Sequence, residues 1–303
     1  MIRPRIAGHP IFRASEARDS TGLQPRGGPV PKVGAVQYLN TRPLVHGLSE
    51  HRLDLCYDLP SRLADRLADG SLDVALIPTV ELFRSPGHTI VSNACIGCLG
   101  PVMSVKLFFR VAPSSVTTLA VDEGSRTSAA LSRILLAERY DVHPAVSVLP
   151  IGANLYDTNA DAVLLIGDRA LGPGPGSVGG GSVQVVWDLG DEWLKWTGLP
   201  FVFAVWAARE GVDATGLAAS LESARDAGVA NLAAIAAAEA AGHGLTVPQC
   251  LAYLRDNLHF HLGERERSGL SRFQAHAERL GLVPSRPTVN ARSVGTITDR
   301  HTV

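Results

Sequence analysis

Apolar and polar positions along this chain alternate in short blocks. A mostly apolar run over 33–37 gives way to polar Asn40, and Pro43 stands three positions later. This reads as a buried strand closing at Tyr38 or Leu39. A helix over 43–49 follows, because proline is pre-set for a first helical turn. Next come a strand over 53–57 and a helix over 60–69, where Leu59, Leu63 and Leu67 recur every four residues. A buried strand over 73–77 leads into a helix starting at 79–83, and 102–111 predicts a long strand. Pro113-Ser114-Ser115 breaks the pattern, and a second set begins. It comprises a strand over 118–121, a helix over 125–139, strands over 145–149, 162–166 and 183–186, a helix over 187–196 and a strand over 201–207. Leu131, Ile134 and Leu135 share one face of the 125–139 helix. Everything beyond Val212 reads as helix, in about three segments.

Short βα units in series predict an α/β fold with parallel sheets. Two such sets predict two lobes joined by a double crossover, with a ligand cleft between them. The expected division is a disordered extension over 1–32, a first lobe over 33–112, a second lobe over 113–199, a return to the first lobe over 200–285, and a flexible tail over 286–303. The segment 172–181 holds six glycines and two prolines. It lacks the Gly-Lys-Ser/Thr ending of a phosphate loop, so it reads as a surface loop.

Composition narrows the classes. The chain has 303 residues, 46% hydrophobic and 19% charged, enough for two lobes. A net charge of -1 and 6% aromatic residues argue against a nucleic-acid surface. No apolar run is long enough to span a membrane, and residues 1–32 lack the apolar core of an export signal. The expected location is the cytoplasm. Cys95-Ile96-Gly97-Cys98 has C-x-x-C spacing, but there is no second pair to complete a metal site. Gly97, Gly100 and Pro101 make this segment read as a turn before a strand, with reduced packing thiols. His259 and His261, taken as helical, do not share a face.

Ligands of open α/β sheets bind beyond the carboxyl ends of strands. That rule places Asn40, Thr41 and Arg42 to meet a small, anionic molecule, with Tyr38 at the strand's end. Asn40 is the main candidate, since an amide can donate and accept at once. The segment Asp122-Glu123-Gly124-Ser125-Arg126-Thr127-Ser128 follows a strand and opens a helix, a ready anion site. The plainer reading is capping by Ser125 or Thr127 alone. Ser104 enters a strand after Gly100-Pro101-Val102-Met103. Gly167 and Asp168 end a buried strand, where glycine permits close approach of a ligand. There is no G-x-S-x-G and no H-E-x-x-H. The scarcity of acids and bases points to binding, or to chemistry that relies on orientation and on the substrate's own groups.

The run Tyr38-Leu39-Asn40-Thr41-Arg42-Pro43-Leu44 resembles the menaquinone-biosynthesis chorismate dehydratase family of the futalosine route. Similar blocks follow in order: Leu59-Pro60-Ser61-Arg62-Leu63-Ala64, Asp73-Val74-Ala75-Leu76-Ile77-Pro78, Gly100-Pro101-Val102, Ser125-Arg126-Thr127-Ser128, Leu165-Ile166-Gly167-Asp168, and the stretch from Trp196 to Ala204. Together they span roughly residues 33–285. The resemblance implies a two-lobed fold like type II periplasmic binding proteins, used as an enzyme. It implies dehydration of chorismate to 3-[(1-carboxyvinyl)oxy]benzoate, with no metal or organic cofactor and no nucleic-acid or membrane partner. A homodimer is compatible with it. The family's active-site asparagine falls on Asn40, a serine after Gly-Pro-Val on Ser104, and a carboxylate site on residues 125–128. The cysteine pair, the N-terminal extension and the long glycine-rich loop depart from the pattern, all away from the expected cleft. Two rivals share the fold: the sister enzyme that makes dihydroxynaphthoate, and a non-catalytic solute-binding protein.

Overall fold

The computed structural model describes residues 30–48, 51–171 and 183–285. The expected extension up to residue 29, the loop at 172–181 and the tail from 286 lie outside the described residues. The first part of the chain forms β1 (Lys32–Val36), β2 (Asp54–Asp58), α1 (Pro60–Ala68), β3 (Val74–Pro78), α2 (Thr79–Arg84) and β4 (Thr89–Cys98). Next come β5 (Val105–Phe109), β6 (Thr118–Asp122), α3 (Thr127–Tyr140), β7 (Ala145–Leu149), β8 (Ala162–Ile166), α4 (Asp168–Leu171) and β9 (Val185–Asp188). The chain then returns through α5 (Leu189–Thr197) to β10 (Phe201–Ala208), α6 (Thr215–Ala230), α7 (Leu232–Glu239), α8 (Val247–Ala252), β11 (His259–His261) and α9 (Glu264–Arg279).

The strands make two sheets, ordered β11-β4-β10-β3-β1-β2 and β7-β6-β8-β5-β9. Both are mixed rather than parallel. β10 runs antiparallel to β3 and β4, and β5 antiparallel to β8 and β9. β1 and β3 are buried on both faces, as strands covered by helices on each side are. α1 covers the sheet with Leu63 and Leu67, both fully buried. No described helix is long and apolar enough to cross a membrane.

Other expectations change as well. β4 occupies the segment read as a turn, so Cys95 and Cys98 are strand residues with buried, free thiols whose ionisation burial opposes. β11 interrupts the helical C-terminal region, and on a strand His259 and His261 do share a face. Trp187 lies in β9, not in the following helix. The change of sheet comes between Cys98 and Val105, ahead of residue 112, because β5 pairs with β8 and β9.

Two connections therefore join the sheets, 99–104 outward and 189–200 on the return. The carboxylate of Asp188 fastens them together. It accepts the N–H groups of Val102 (2.9 Å) and Met103 (2.6 Å), and caps α5 by accepting those of Gly190 (3.0 Å) and Asp191 (3.3 Å). Burial raises the Asp188 pKa, and these four donors oppose the rise. Met103 takes a left-handed φ of 62°, uncommon for a side chain of its size. Trp193 of α5 is fully buried, edge-on to Phe201 at 5.2 Å, with its indole N–H donating to the Pro200 carbonyl at 3.1 Å. It anchors the return connection in the core.

Candidate active site

A cleft opens between the two sheets. The first sheet contributes Val36, Tyr38, Asn40, Pro78, Ile96, Phe203 and Ala204, and the second side contributes Ser104, Val105, Gly124 to Ser128, Ile166 and Gly167. The walls are largely apolar, and the polar groups converge at strand ends.

Asn40 sits in a 3-10 turn, Leu39–Val45, that replaces the helix expected at 43–49. Pro43 lies inside this turn, and α6 packs on it so tightly that only glycine fits at 228. A β-carbon there would lie 2.0 Å from the Pro43 carbonyl oxygen. Asn40 is 9% exposed, and its Oδ1 accepts from Thr41 Oγ1 at 3.4 Å. Thr41 itself is fully buried and does not line the cleft. Arg42 does not line it either. It pairs with Glu239 at 3.2 Å and lies over the Tyr57 ring at 5.7 Å. The tight winding of the turn rotates these two residues away from Asn40's direction.

Asp168 also stands behind the cleft rather than on it. Its Oδ1 accepts the Leu39 N–H at 3.2 Å, and its Oδ2 meets His243 Nδ1 at 3.0 Å. It thereby ties the start of the Asn40 turn to the end of β8. Gly167 does line the cleft, at φ +63°, and Tyr38 packs against it. The Tyr38 hydroxyl is buried with no hydrogen-bond partner, and burial, reinforced by the Asp122 charge, holds its proton on well above the ordinary range. Asp122, fully buried at the end of β6, accepts the N–H groups of Gly124 (2.9 Å) and Ile166 (3.3 Å) and pairs with Arg169. It fixes the turn that leads into α3.

At that turn Ser125 Oγ is buried and unpartnered. Thr127 Oγ1 accepts the Val80 N–H at 3.2 Å from the opposite lobe. No side chain caps the start of α3. Capping by Ser125 or Thr127 is therefore not what these residues do, and the first N–H groups of α3 remain free beside the cleft. Such a helix start favours an anion by about 0.3–1 kcal/mol, up to about 2 when partly buried. Arg126 lines the cleft while its guanidinium reaches across it, to both carboxylate oxygens of Asp65 (2.7 and 2.8 Å) and to Glu81 (3.4 Å). Arg62 and Glu123 make a second cross-lobe pair at 3.3 Å. Partly exposed pairs of this kind contribute about 0–1 kcal/mol each.

Ser104 is 1% exposed and lines the cleft from the connection between sheets. Its carbonyl accepts the Gly167 N–H at 2.8 Å. Tyr253, far along the chain, is 1% exposed, and burial raises its pKa while the nearby Ser104 and Asn40 side chains oppose the rise. The sequence offered no signal for Tyr253 beyond a lone aromatic residue in a helical region. None of the residues lining the cleft is Asp, Glu, His, Lys or Cys. Among the described residues no cluster of His, Cys, Asp or Glu is arranged to hold a metal ion.

Residues 31–279 match the sequence model of a family described as menaquinone biosynthesis. The chain belongs to that family. A member from Thermus thermophilus, named chorismate dehydratase, is 33% identical over 264 residues, covering 82% of this chain and 95% of its own. Among solved structures, protein AF1704 of Archaeoglobus fulgidus superposes with a TM-score of 0.63 at 14% identity, covering 84% of this chain and 98% of that one. The periplasmic aliphatic sulphonate binding protein of Escherichia coli gives 0.54 at 16% identity, covering 86% and 90%. This menaquinone-biosynthesis family member thus has the fold of periplasmic binding proteins.

Proposed function

We propose that the chain is a chorismate dehydratase, a hydro-lyase that converts chorismate to 3-[(1-carboxyvinyl)oxy]benzoate and water. The 33% identity to a protein of that name supports the reaction. The observation that carries the reading is the cleft's inventory: an amide, free hydroxyls and an uncapped helix start, without a carboxylate, imidazole or amine in its lining. Those groups bind and orient a dianion but supply no base.

The reaction suits them. Chorismate loses the proton on C3 and the hydroxyl on C4, and the ring becomes aromatic, which supplies the thermodynamic drive. The C3 proton is vinylogous to the ring carboxylate, so charge spreads into that group as the proton leaves. Donors aimed at it stabilise the developing charge. We assign this role to Ser125, Ser128 and the first N–H groups of α3, with Arg126 holding the lobes closed around the substrate. The base is the substrate's own enolpyruvyl carboxylate, held near C3. Asn40 orients the substrate and its leaving hydroxyl, and Tyr38 and Ser104 complete the contacts. Fixing one geometry of a flexible substrate supplies much of the remaining barrier reduction.

The test is to mix purified protein with chorismate and follow products by liquid chromatography and mass spectrometry. The reading expects a product one water lighter, with turnover falling about 10²–10³-fold in Asn40→Ala, the loss typical of one transition-state donor. Unchanged chorismate that nevertheless binds saturably would make the chain a binding protein. Normal turnover in Asn40→Ala would remove Asn40 from its role.

A further inference from the structure

The Asn40 turn, Leu39–Val45, is a 3-10 turn whose start has no side-chain cap from Tyr38 before it. Such turns have poorer internal hydrogen-bond geometry than an α-helix, so their shape leans on outside contacts. Here those contacts come from far along the chain. The Leu39 N–H donates to Asp168 Oδ1 at 3.2 Å, at the end of β8 in the other lobe. Three residues on, Arg42 lies 3.2 Å from Glu239 Oε2, at the end of α7. His243 stands between these two carboxylates. It ends the short 3-10 turn Ala240–His243 that follows α7, with only 12% of its side chain exposed. Its Nδ1 lies 3.0 Å from Asp168 Oδ2, and its Nε2 lies 3.4 Å from Glu239 Oε2. Asp168, His243, Glu239 and Arg42 thus make one chain of contacts, whose two ends grip the turn on either side of Asn40.

We propose that His243 is a positioning residue that fixes the start of the Asn40 turn by orienting the Asp168 carboxylate. This rests on the dehydratase reading above. A carboxylate only accepts, so its direction is set by the donors around it. The Asp168 side chain is 30% exposed, and water competes for it. With Oδ2 held at Nδ1 of the imidazole, Oδ1 stays turned to the Leu39 N–H. Nδ1 carries a hydrogen in the imidazolium and in one neutral tautomer, so the contact requires no charge on the ring. The longer contact to Glu239 holds the ring itself. Without the ring, Asp168 keeps the Leu39 N–H and water alone, and the start of the turn loosens. Asn40 follows Leu39 directly, so its amide drifts from its place in the cleft. Asp168, His243 and Glu239 do not line the cleft, so the effect passes through the turn.

The experiment compares His243→Leu, which removes both ring nitrogens, with His243→Asn, whose amide NH2 stands near the place of Nδ1. Expected in His243→Leu is a fall in kcat of about 10–100-fold, the size of a modest misplacement of a reacting group, with KM changed no more than about twofold. His243→Asn should recover most of that loss. If His243→Leu fails to fold, His243→Gln replaces it, since its amide reaches the place of Nε2 and serves Glu239 alone. In an Asn40→Ser background the loss should shrink to no more than about twofold, because the group being positioned is gone. A second readout needs no turnover. Hydrogen exchange of the Leu39 amide should be about tenfold faster in His243→Leu than in wild type, as expected for losing a bond to a charged acceptor, and slow again in His243→Asn. Unchanged kcat with unchanged exchange overturns the proposal. So does a His243→Asn variant as impaired as His243→Leu, or a loss that multiplies in full with that of Asn40→Ser. Should the wild-type chain fail to dehydrate chorismate, the dehydratase reading falls, and exchange at Leu39 alone decides the positioning role.

Discussion

Replacing Gly167 by alanine tests whether Tyr38 is held in the cleft by the room this glycine leaves. Two costs add. Gly167 adopts φ +63°, where an L side chain costs about 1–2 kcal/mol. A β-carbon there would also stand 2.7 Å from Cδ2 and 2.8 Å from Cε2 and Cγ of Tyr38. Carbon atoms rest about 3.5–4.0 Å apart, so the ring must retreat by roughly an ångström. Overpacking of this kind costs about 1–3 kcal/mol. The sum is about 2–5 kcal/mol of stability, and the retreating ring carries its unpartnered hydroxyl out of place. Gly198 supplies the control. It has a similar φ of +70° with nothing within 4 Å of its would-be β-carbon, so Gly198→Ala carries only the backbone cost. Urea midpoints of the two variants give the difference directly, and kcat/KM on chorismate should fall in Gly167→Ala alone. Equal stability losses, or an undiminished kcat/KM in Gly167→Ala, would refute the reasoning.

Three further outcomes are expected. Gly228→Ala forces α6 and the Asn40 turn apart at the Pro43 carbonyl, so its melting temperature and kcat should drop together; loss of stability at full kcat would uncouple the helix from the site. The pH profile of kcat should stay flat between about pH 6 and 9, because no group lining the cleft titrates there; a bell with a limb near 7 would indicate a protein base instead. The Asp73 carboxyl is held below its ordinary pKa, chiefly by the Lys32 N–H and with help from Arg209. That stabilisation is complete above the ordinary aspartate pKa, about 3.9, and is lost as pH falls through the lowered native value. Asp73→Asn should therefore flatten the acid limb of stability measured by urea unfolding, and an unchanged limb would remove Asp73 from the account.

Local features of the site were legible in the chain. Tyr38 and Asn40 follow one strand, Ser125 to Ser128 lead into one helix, and Gly167 follows another strand, so strand-end reasoning places them at the cleft. Thr41 and Arg42 were carried along because the sequence does not distinguish an α-helix from the tighter 3-10 turn that buries one and sends the other to Glu239. Asp168 lies near the cleft but works through Leu39 and His243. Tyr253 was not legible, because its meaning comes from partners distant in sequence, and pattern reasoning sees only neighbours along the chain. β4 was missed for a local reason: its buried end carries Cys and Gly in place of β-branched residues, so it resembles a turn. β11 is three residues long and borrows its pairing from β4. Strand direction was misjudged because β10 comes back from the other lobe, and βα alternation is silent about that return.

The carboxylate of Asp188 has a consequence for motion. Two ribbons joining two bodies can twist independently, letting the bodies slide past each other. Here one side chain grips the outgoing ribbon at Val102 and Met103 and heads the helix that begins the return, so the ribbons turn as one. A twist of one ribbon is thereby passed to the other. Arg126 with Asp65 and Arg62 with Glu123 also bridge the two bodies, so a twist at the ribbons reaches those pairs as well.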